Sequence, residues 1–327
     1  MLEHGDVMTV MDSVSHYRAC DLCPHLCGVD RLQGELGYCG ECAQLRIASI
    51  GAHFGEEPPI SGQYGSGTVF FSGCHLQCDF CQNHQISREH LGQNMNVMDV
   101  VDRLEELTFT SQIHNVNFVT PTHVLPKTVE IIQELRGRRI EIPAIYNMSG
   151  YERREILQEL EPFADIYLPD FKYADTHLGE RLSHCSNYPS TALDAIAEML
   201  RQKGFLDVFL PGHDGAIAGR GVLQRHLILP GHIQNSLDAL DMLFIEFGKE
   251  LPISLMSQYH PVRPCQEPGM DQRLTAEEFQ RVYDHTQELG FQHLFVQYPA
   301  ESRNQRPDFL PDFRKKQPFE GNMLHSQ

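Results

Sequence analysis

The stretch FFSGCHLQCDFCQN, residues 70–83, places Cys74, Cys78 and Cys81 in a C-x3-C-x2-C pattern directly after an apolar run. Thiolates are soft ligands, suited to zinc and to iron–sulfur clusters. A structural zinc site is closed by four protein ligands, and ordinary four-iron clusters also take four cysteines. This loop offers three. His75 or His84 could complete a zinc site. Alternatively, the triplet holds a [4Fe–4S] cluster with one iron left open, which a small molecule bearing an amine and a carboxylate can chelate.

Outward from the triplet, apolar runs alternate with helical periodicity. TVFFSG (68–73) reads as a strand, as do NVNFVT (115–120), PAIYN (143–147), DIYLPDF (165–171), LQRHLILPG (223–231), PISLMSQ (252–258) and HLFVQ (293–297). Helical stretches fall at 97–107, 126–138, 151–160, 191–204, 235–250 and 275–290. This alternation predicts an α/β fold with a parallel sheet, either doubly wound or a barrel. In both, ligands bind at the carboxyl ends of the strands. The triplet follows the first strand; TPTH, NMSGY, PDFKY, LPGH and YHP follow the next five. Six polar loops would then face one cavity.

The chain of 327 residues is 41% hydrophobic, enough for a sizeable core. Its net charge of −18 argues against binding a phosphate backbone, so no nucleic-acid partner is expected. No apolar run reaches the roughly 18 residues that span a bilayer, so no membrane partner is expected either. Residues 1–20 lack a basic segment followed by an apolar one, the pattern of a signal peptide, which points to a cytoplasmic protein. Ten cysteines in such a setting suggest metal sites rather than disulfides.

The triplet with Phe80 before its last cysteine, together with LPDFKY, RHLILPG and SLMSQYHP, resembles the radical S-adenosylmethionine superfamily. Within it, the chain is similar to the homologues of pyruvate formate-lyase activating enzyme, which also share the cysteine-rich start CDLCPHLCGVDRLQGELGYCG and the stretch GEEPPISG. The resemblance implies a partial (β/α)6-type barrel of parallel strands over residues 66–297, a small Cys-rich metal-binding N-terminal lobe over 1–65, and a C-terminal extension over 298–327. It also implies an oxidoreductase in which a reduced [4Fe–4S] cluster on Cys74, Cys78 and Cys81 cleaves S-adenosyl-L-methionine. The 5′-deoxyadenosyl radical so formed abstracts hydrogen. By motif, the backbone near Phe80 lies by the adenine, Asn147 and Ser149 by the ribose, and Asp170 and Lys172 by the methionine end, while His260 matches a late-strand histidine that approaches the cofactor. Many relatives carry Gly-Gly-Glu-Pro after the second strand. Here VTPTH stands instead, and Thr120 is the candidate cofactor contact. Arg225 is a weaker candidate, with a structural ion pair as its alternative. Implied partners are an electron donor such as flavodoxin or ferredoxin and a protein substrate, a glycyl radical enzyme. The alternatives are radical modification of another peptide, a cofactor precursor or a small molecule, or a non-catalytic iron–sulfur or zinc protein.

Cys20, Cys23, Cys27 and Cys39 form a second set, C-x2-C-x3-C-x11-C, with Cys42 as a fifth thiol. The set suits zinc or a second iron–sulfur cluster, and its lobe reads as loop-dominated. The Gly-rich residues 211–221 read either as a lid or substrate loop or as a surface loop. The Pro-rich chain after Tyr298 reads as a surface extension or as partly disordered.

Overall fold

The strand segments read from the sequence all form. In the computed structural model, which describes residues 11–213, 215–299 and 309–319, β1 (Leu45–His53), β2 (Ser66–Phe71) and β3 (Gln93–Met95) are antiparallel neighbours at one edge of the sheet. From β2 the order continues in parallel through β4 (Val116–Val119), β5 (Ala144–Met148), β6 (Ile166–Pro169) and β7 (Gly221–Val222). A further parallel set holds β8 (Gln224–Leu227), β9 (Ile253–Met256) and β10 (Leu294–Gln297). The bridge between Asp170 and Arg225 carries the β6 edge onto β8, so the two sets are continuous.

The crossovers are helical, as parallel neighbours require. Those used below are α1 (His84–Ser87), α2 (Val97–Thr110), α3 (Leu125–Gly137), α4 (Arg154–Leu160), α5 (Thr176–Ser183), α6 (Tyr188–Lys203), α7 (Ile233–Phe247) and α8 (Ala276–Leu289). Their ends obey local chemistry. Asn96 with Asp99 and Thr275 with Glu278 form capping boxes at the starts of α2 and α8. Gly290 closes α8 in the left-handed conformation at φ 82°.

Both faces of the central strands are buried, which explains their unbroken apolar runs. Tyr146 and Tyr167 pack with Val100, Leu104, Ile131 and Leu157 of the helices. On the other face, Ile145, Ile166, Leu168 and Leu223 pack with Ile60 from the β1–β2 connection. Arg225 of β8 and Asn117 of β4 both bond to Glu56, although β5 and β6 lie between their strands. The sheet therefore curls into a partial barrel around a lumen.

Three readings change. The N-terminal segment is not loop throughout, because β1 pairs with β2 along residues 47–53. Its alternation is weak because its residues are mostly half-buried, with neither face cleanly apolar. Residues 309–319 are not a surface extension: Leu310 and Phe313 are buried, and Phe313 packs on Phe70. The expectations for residues 1–10, 300–308 and 320–327 lie outside the described residues. The loop at 211–221 is no lid over the carboxyl ends of the strands, since Ala218 bonds to Pro59 at the opposite end of the barrel; Asp214 lies outside the described residues.

Candidate active site at the carboxyl ends of the strands

The triplet loop leaves β2 through Gly73, whose φ is 81° and where a Cβ would stand 2.4 Å from Glu41 Cγ and 2.9 Å from the Cys39 carbonyl. Only glycine fits there. The loop then turns so that Cys74 and Cys78 are buried and Cys81 half-buried. Leu76 N–H donates to Cys74 Sγ at 3.3 Å, and Ser87 Oγ to Cys81 Sγ at 3.5 Å. Burial, with the neighbouring Cys78 and Cys81, pushes the Cys74 thiol up to about 12. Burial also raises Cys78, while Lys172 pulls it down. Cys74 and Cys78, both raised by burial, would become thiolates most readily beside a multiply charged metal centre.

Of the two histidines that could complete a zinc site, His84 pairs through Nδ1 with Glu89 at 2.8 Å, and His75 Nε2 bonds to the Tyr151 carbonyl and Ser149 Oγ while its Nδ1 is buried without a partner. Among the described residues, no three His, Cys, Asp or Glu side chains, those of the triplet and of the N-terminal cysteines included, stand grouped as a ready-made metal site.

The other strand-end loops meet the triplet from one side. Lys172 is ion-paired with Asp170, and both side chains are largely buried. Burial acts to lower the Lys172 pKa, but Asp170 and Cys78 outweigh it, so the ammonium is held charged. Phe80 lies 6.2 Å from Tyr259, next to His260, whose Nδ1 accepts from Arg273 at 3.0 Å. Asn147 is half-buried on β5, and its carbonyl accepts from Thr120 N–H at 2.9 Å. Thr120 has φ 53°, strained for a β-branched residue and natural for glycine. Ser149 is buried and donates to Glu152 at 3.0 Å. Arg225 forms the structural ion pair, with Glu56 at 2.5 Å and with Glu57.

Sequence reading missed the residues that hold these loops together. Tyr188, fully buried on α6, donates to the Ser149 carbonyl at 2.7 Å, lies 3.0 Å from the Asp170 carbonyl and accepts from Lys172 N–H at 2.9 Å. Asn235 on α7 donates to the Lys172 carbonyl and accepts from Ala174 and Asp175. Glu152 takes Thr122 and Ser149 on one oxygen; its other oxygen is buried without a partner. Burial raises its carboxyl from the usual range to about 7. No local motif marks any of the three. The near signal was Gly150, where a Cβ would stand 2.1 Å from the Asp170 carbonyl.

The second cysteine set lies against the triplet. Cys27 and Cys39 Sγ both fall within 3.7 Å of the Cβ that Gly37 lacks. Burial raises the Cys23 thiol, with Cys27, Cys39 and Cys20 adding to the rise. Cys42 instead gives its carbonyl to the buried Arg31 at 2.6 Å. His25, between Cys23 and Cys27, bonds to the His75 carbonyl at 2.7 Å, and Gln77 donates to the Tyr38 carbonyl at 2.7 Å.

Residues 68–223, from β2 to β7, match the model of the Radical SAM superfamily. This is a radical SAM domain. The family implies a [4Fe–4S] cluster and S-adenosylmethionine, and the triplet's donor set fits the cluster. The chain is 27% identical over 278 residues to an uncharacterized protein of Methanocaldococcus jannaschii, covering 82% of this chain and 74% of that one. Similar solved structures include SuiB of Streptococcus suis bound to S-adenosylmethionine, at 9% identity and TM-score 0.47, over 68% of this chain and 48% of that one. Another is a domain of pyruvate-formate lyase-activating enzyme from Bacteroides vulgatus, at 15% identity and TM-score 0.38, over 56% of this chain and 98% of that one. The chain thus spans about half the length of SuiB. Among the described residues, no helix is long and apolar enough to cross a membrane.

Proposed function

We propose that this radical SAM protein is a cytoplasmic enzyme resembling the glycyl radical activating enzymes, acting on a backbone glycine of a partner protein. The observation that carries the reading is the triplet at the end of β2, with Cys74 and Cys78 buried and the Lys172 cation set against Cys78. Cys74, Cys78 and Cys81 would hold the [4Fe–4S] cluster, which when bound supplies the electron for reductive cleavage of S-adenosylmethionine. Lys172 offers a cation to the cofactor's carboxylate and Asp170 an acceptor to its ammonium. Tyr188 and Asn235 keep that pair in place. Asn147 is the free hydroxyl partner on β5, since Ser149 is committed to Glu152.

A glycine suits this chemistry because no side chain shields its α-carbon. Cys20, Cys23, Cys27 and Cys39 are proposed as a second metal site, and flavodoxin or ferredoxin as the electron donor. The test is electron paramagnetic resonance of candidate partner proteins after anaerobic incubation with the reduced enzyme. A carbon-centred doublet on the partner is expected. Deuterium passing from a small molecule or a peptide side chain into 5′-deoxyadenosine, without a stable protein radical, would favour the other radical modifications.

A further inference from the structure

The lumen mouth beside the triplet is filled by the chain's own residues 309–319. Phe313 packs with Phe70, Ile86 and Val119, its ring 5.3 Å from Phe70. Phe319 lies 5.4 Å from Phe70 and 4.4 Å from His53. Phe70 stands on β2 just before the triplet, Ile86 on α1 just after it, and Val119 immediately before Thr120.

The polar contacts are those of peptide recognition. Gln85, on α1, accepts the Phe313 backbone N–H at 2.8 Å and donates to the Asp312 carboxylate at 3.3 Å, so one amide holds a backbone group and a side chain of the segment. The segment closes on itself: Asp312 N–H donates to the Pro318 carbonyl at 2.9 Å, and Lys315 N–H to the Asp312 carbonyl at 3.0 Å. Arg314, Lys315, Lys316 and Gln317 point outward as an exposed tip. The groove therefore holds a pinched loop by two aromatic anchors at its base.

We propose that this groove is the docking site for the loop of a substrate polypeptide, and that residues 309–319 fill it in cis when no substrate is present. The proposal rests on the reading of the lumen as the reaction chamber. It specifies a partner: a protein loop with closely approaching ends and apolar anchors, held by Phe70, Ile86, Val119 and the Gln85 amide. As part of the same chain the segment competes intramolecularly, so the site is masked in the resting chain.

The test uses the full chain without cofactor and a fluorescent synthetic peptide of residues 309–319, FLPDFRKKQPF, followed by anisotropy. In the full-length Phe313→Ala/Phe319→Ala variant, the cis segment loses its anchors and the peptide binds. Wild type binds it at least tenfold more weakly. A peptide with the phenylalanines of positions 313 and 319 replaced by alanine, or the variant carrying Gln85→Ala as well, loses at least tenfold in affinity. Equal binding by wild type and variant, or equal binding of the alanine peptide, overturns the proposal and makes the segment a fixed part of the barrel wall. Should the double variant fail to fold, hydrogen exchange on wild type decides. The Phe313 amide exchanges at least tenfold faster than those of β2 and β4; exchange as slow as theirs overturns the proposal. In the iron-loaded double variant, saturating peptide changes the rate of S-adenosylmethionine cleavage at least threefold, and an unchanged rate overturns the link to the reaction chamber. Because binding is read without cofactor, a chain that binds peptide but cleaves no S-adenosylmethionine would sink the proposed function alone.

Discussion

The chain carries two cysteine-rich loops that touch, and they are built on opposite principles. The triplet hangs from the end of a fully buried strand, and the neighbouring strand-end loops are tied together by Tyr188 and Asn235. The N-terminal set lies in irregular chain around the buried Arg31, which bonds to the carbonyls of His123 and Cys42. The first loop would hold its shape without metal. The second brings Cys27 and Cys39 together beside Gly37 but has few apolar residues of its own, so a metal would contribute to folding there. The lesson is that equal ligand chemistry need not mean equal dependence on the ion.

Four sets of substitutions would break or sharpen that contrast, in falling order of effect. Cys23→Ala combined with Cys39→Ala should empty the N-terminal set and loosen the lobe. Metal analysis of the triplet mutant, in which only that set remains, should still find zinc or iron in proportion to protein. Finding neither removes the second site.

Glu152→Gln addresses the buried network behind the triplet. Its carboxyl is raised by burial to about 7, so its contribution is fully present below the unfolded glutamate pKa and is lost as pH rises through the folded one. The span corresponds to about 3 kcal/mol. Denaturant melts of wild type should weaken by that order between pH 4.5 and 7, and the glutamine variant should lose most of the slope. An unchanged slope would mean that Glu152 is hydrated rather than buried.

Lys172→Ala or Asp170→Ala leaves a charged cofactor group unpaired in a largely buried site, at about 1–3 kcal/mol. Affinity for S-adenosylmethionine should fall about tenfold, with the cluster's spectrum intact. Unchanged affinity in both would return the pair to an ordinary loop ion pair. The smallest effect is expected from Tyr188→Phe. Removing one hydroxyl that holds two loops costs about 1 kcal/mol, so affinity should drop about fivefold at unchanged metal content.

The strands and the triplet were legible because their signals are local: buried parallel strands read as apolar runs, and ligand spacing reads directly. What escaped was non-local. β1 hides because both its faces are half-buried. Tyr188 sits on a helix remote in sequence from the loops it joins. Glu152 looks like an ordinary helix-start acid until burial is known. The inward packing of Phe313 depends on a groove formed by β2, β4 and α1. Arg225, weighed between cofactor and ion pair, was decided by Glu56 and Glu57, residues whose partner only the curl of the sheet reveals.

The most direct test is anaerobic reconstitution with iron and sulfide, followed by reduction and quantitation of 5′-deoxyadenosine from S-adenosylmethionine. Wild type should release it, and Cys74→Ala, Cys78→Ala and Cys81→Ala should each release none while keeping the fold. Release at the wild-type rate from the triple mutant, or no release from a fully loaded wild type, would contradict the assignment of the triplet as the centre of the chemistry.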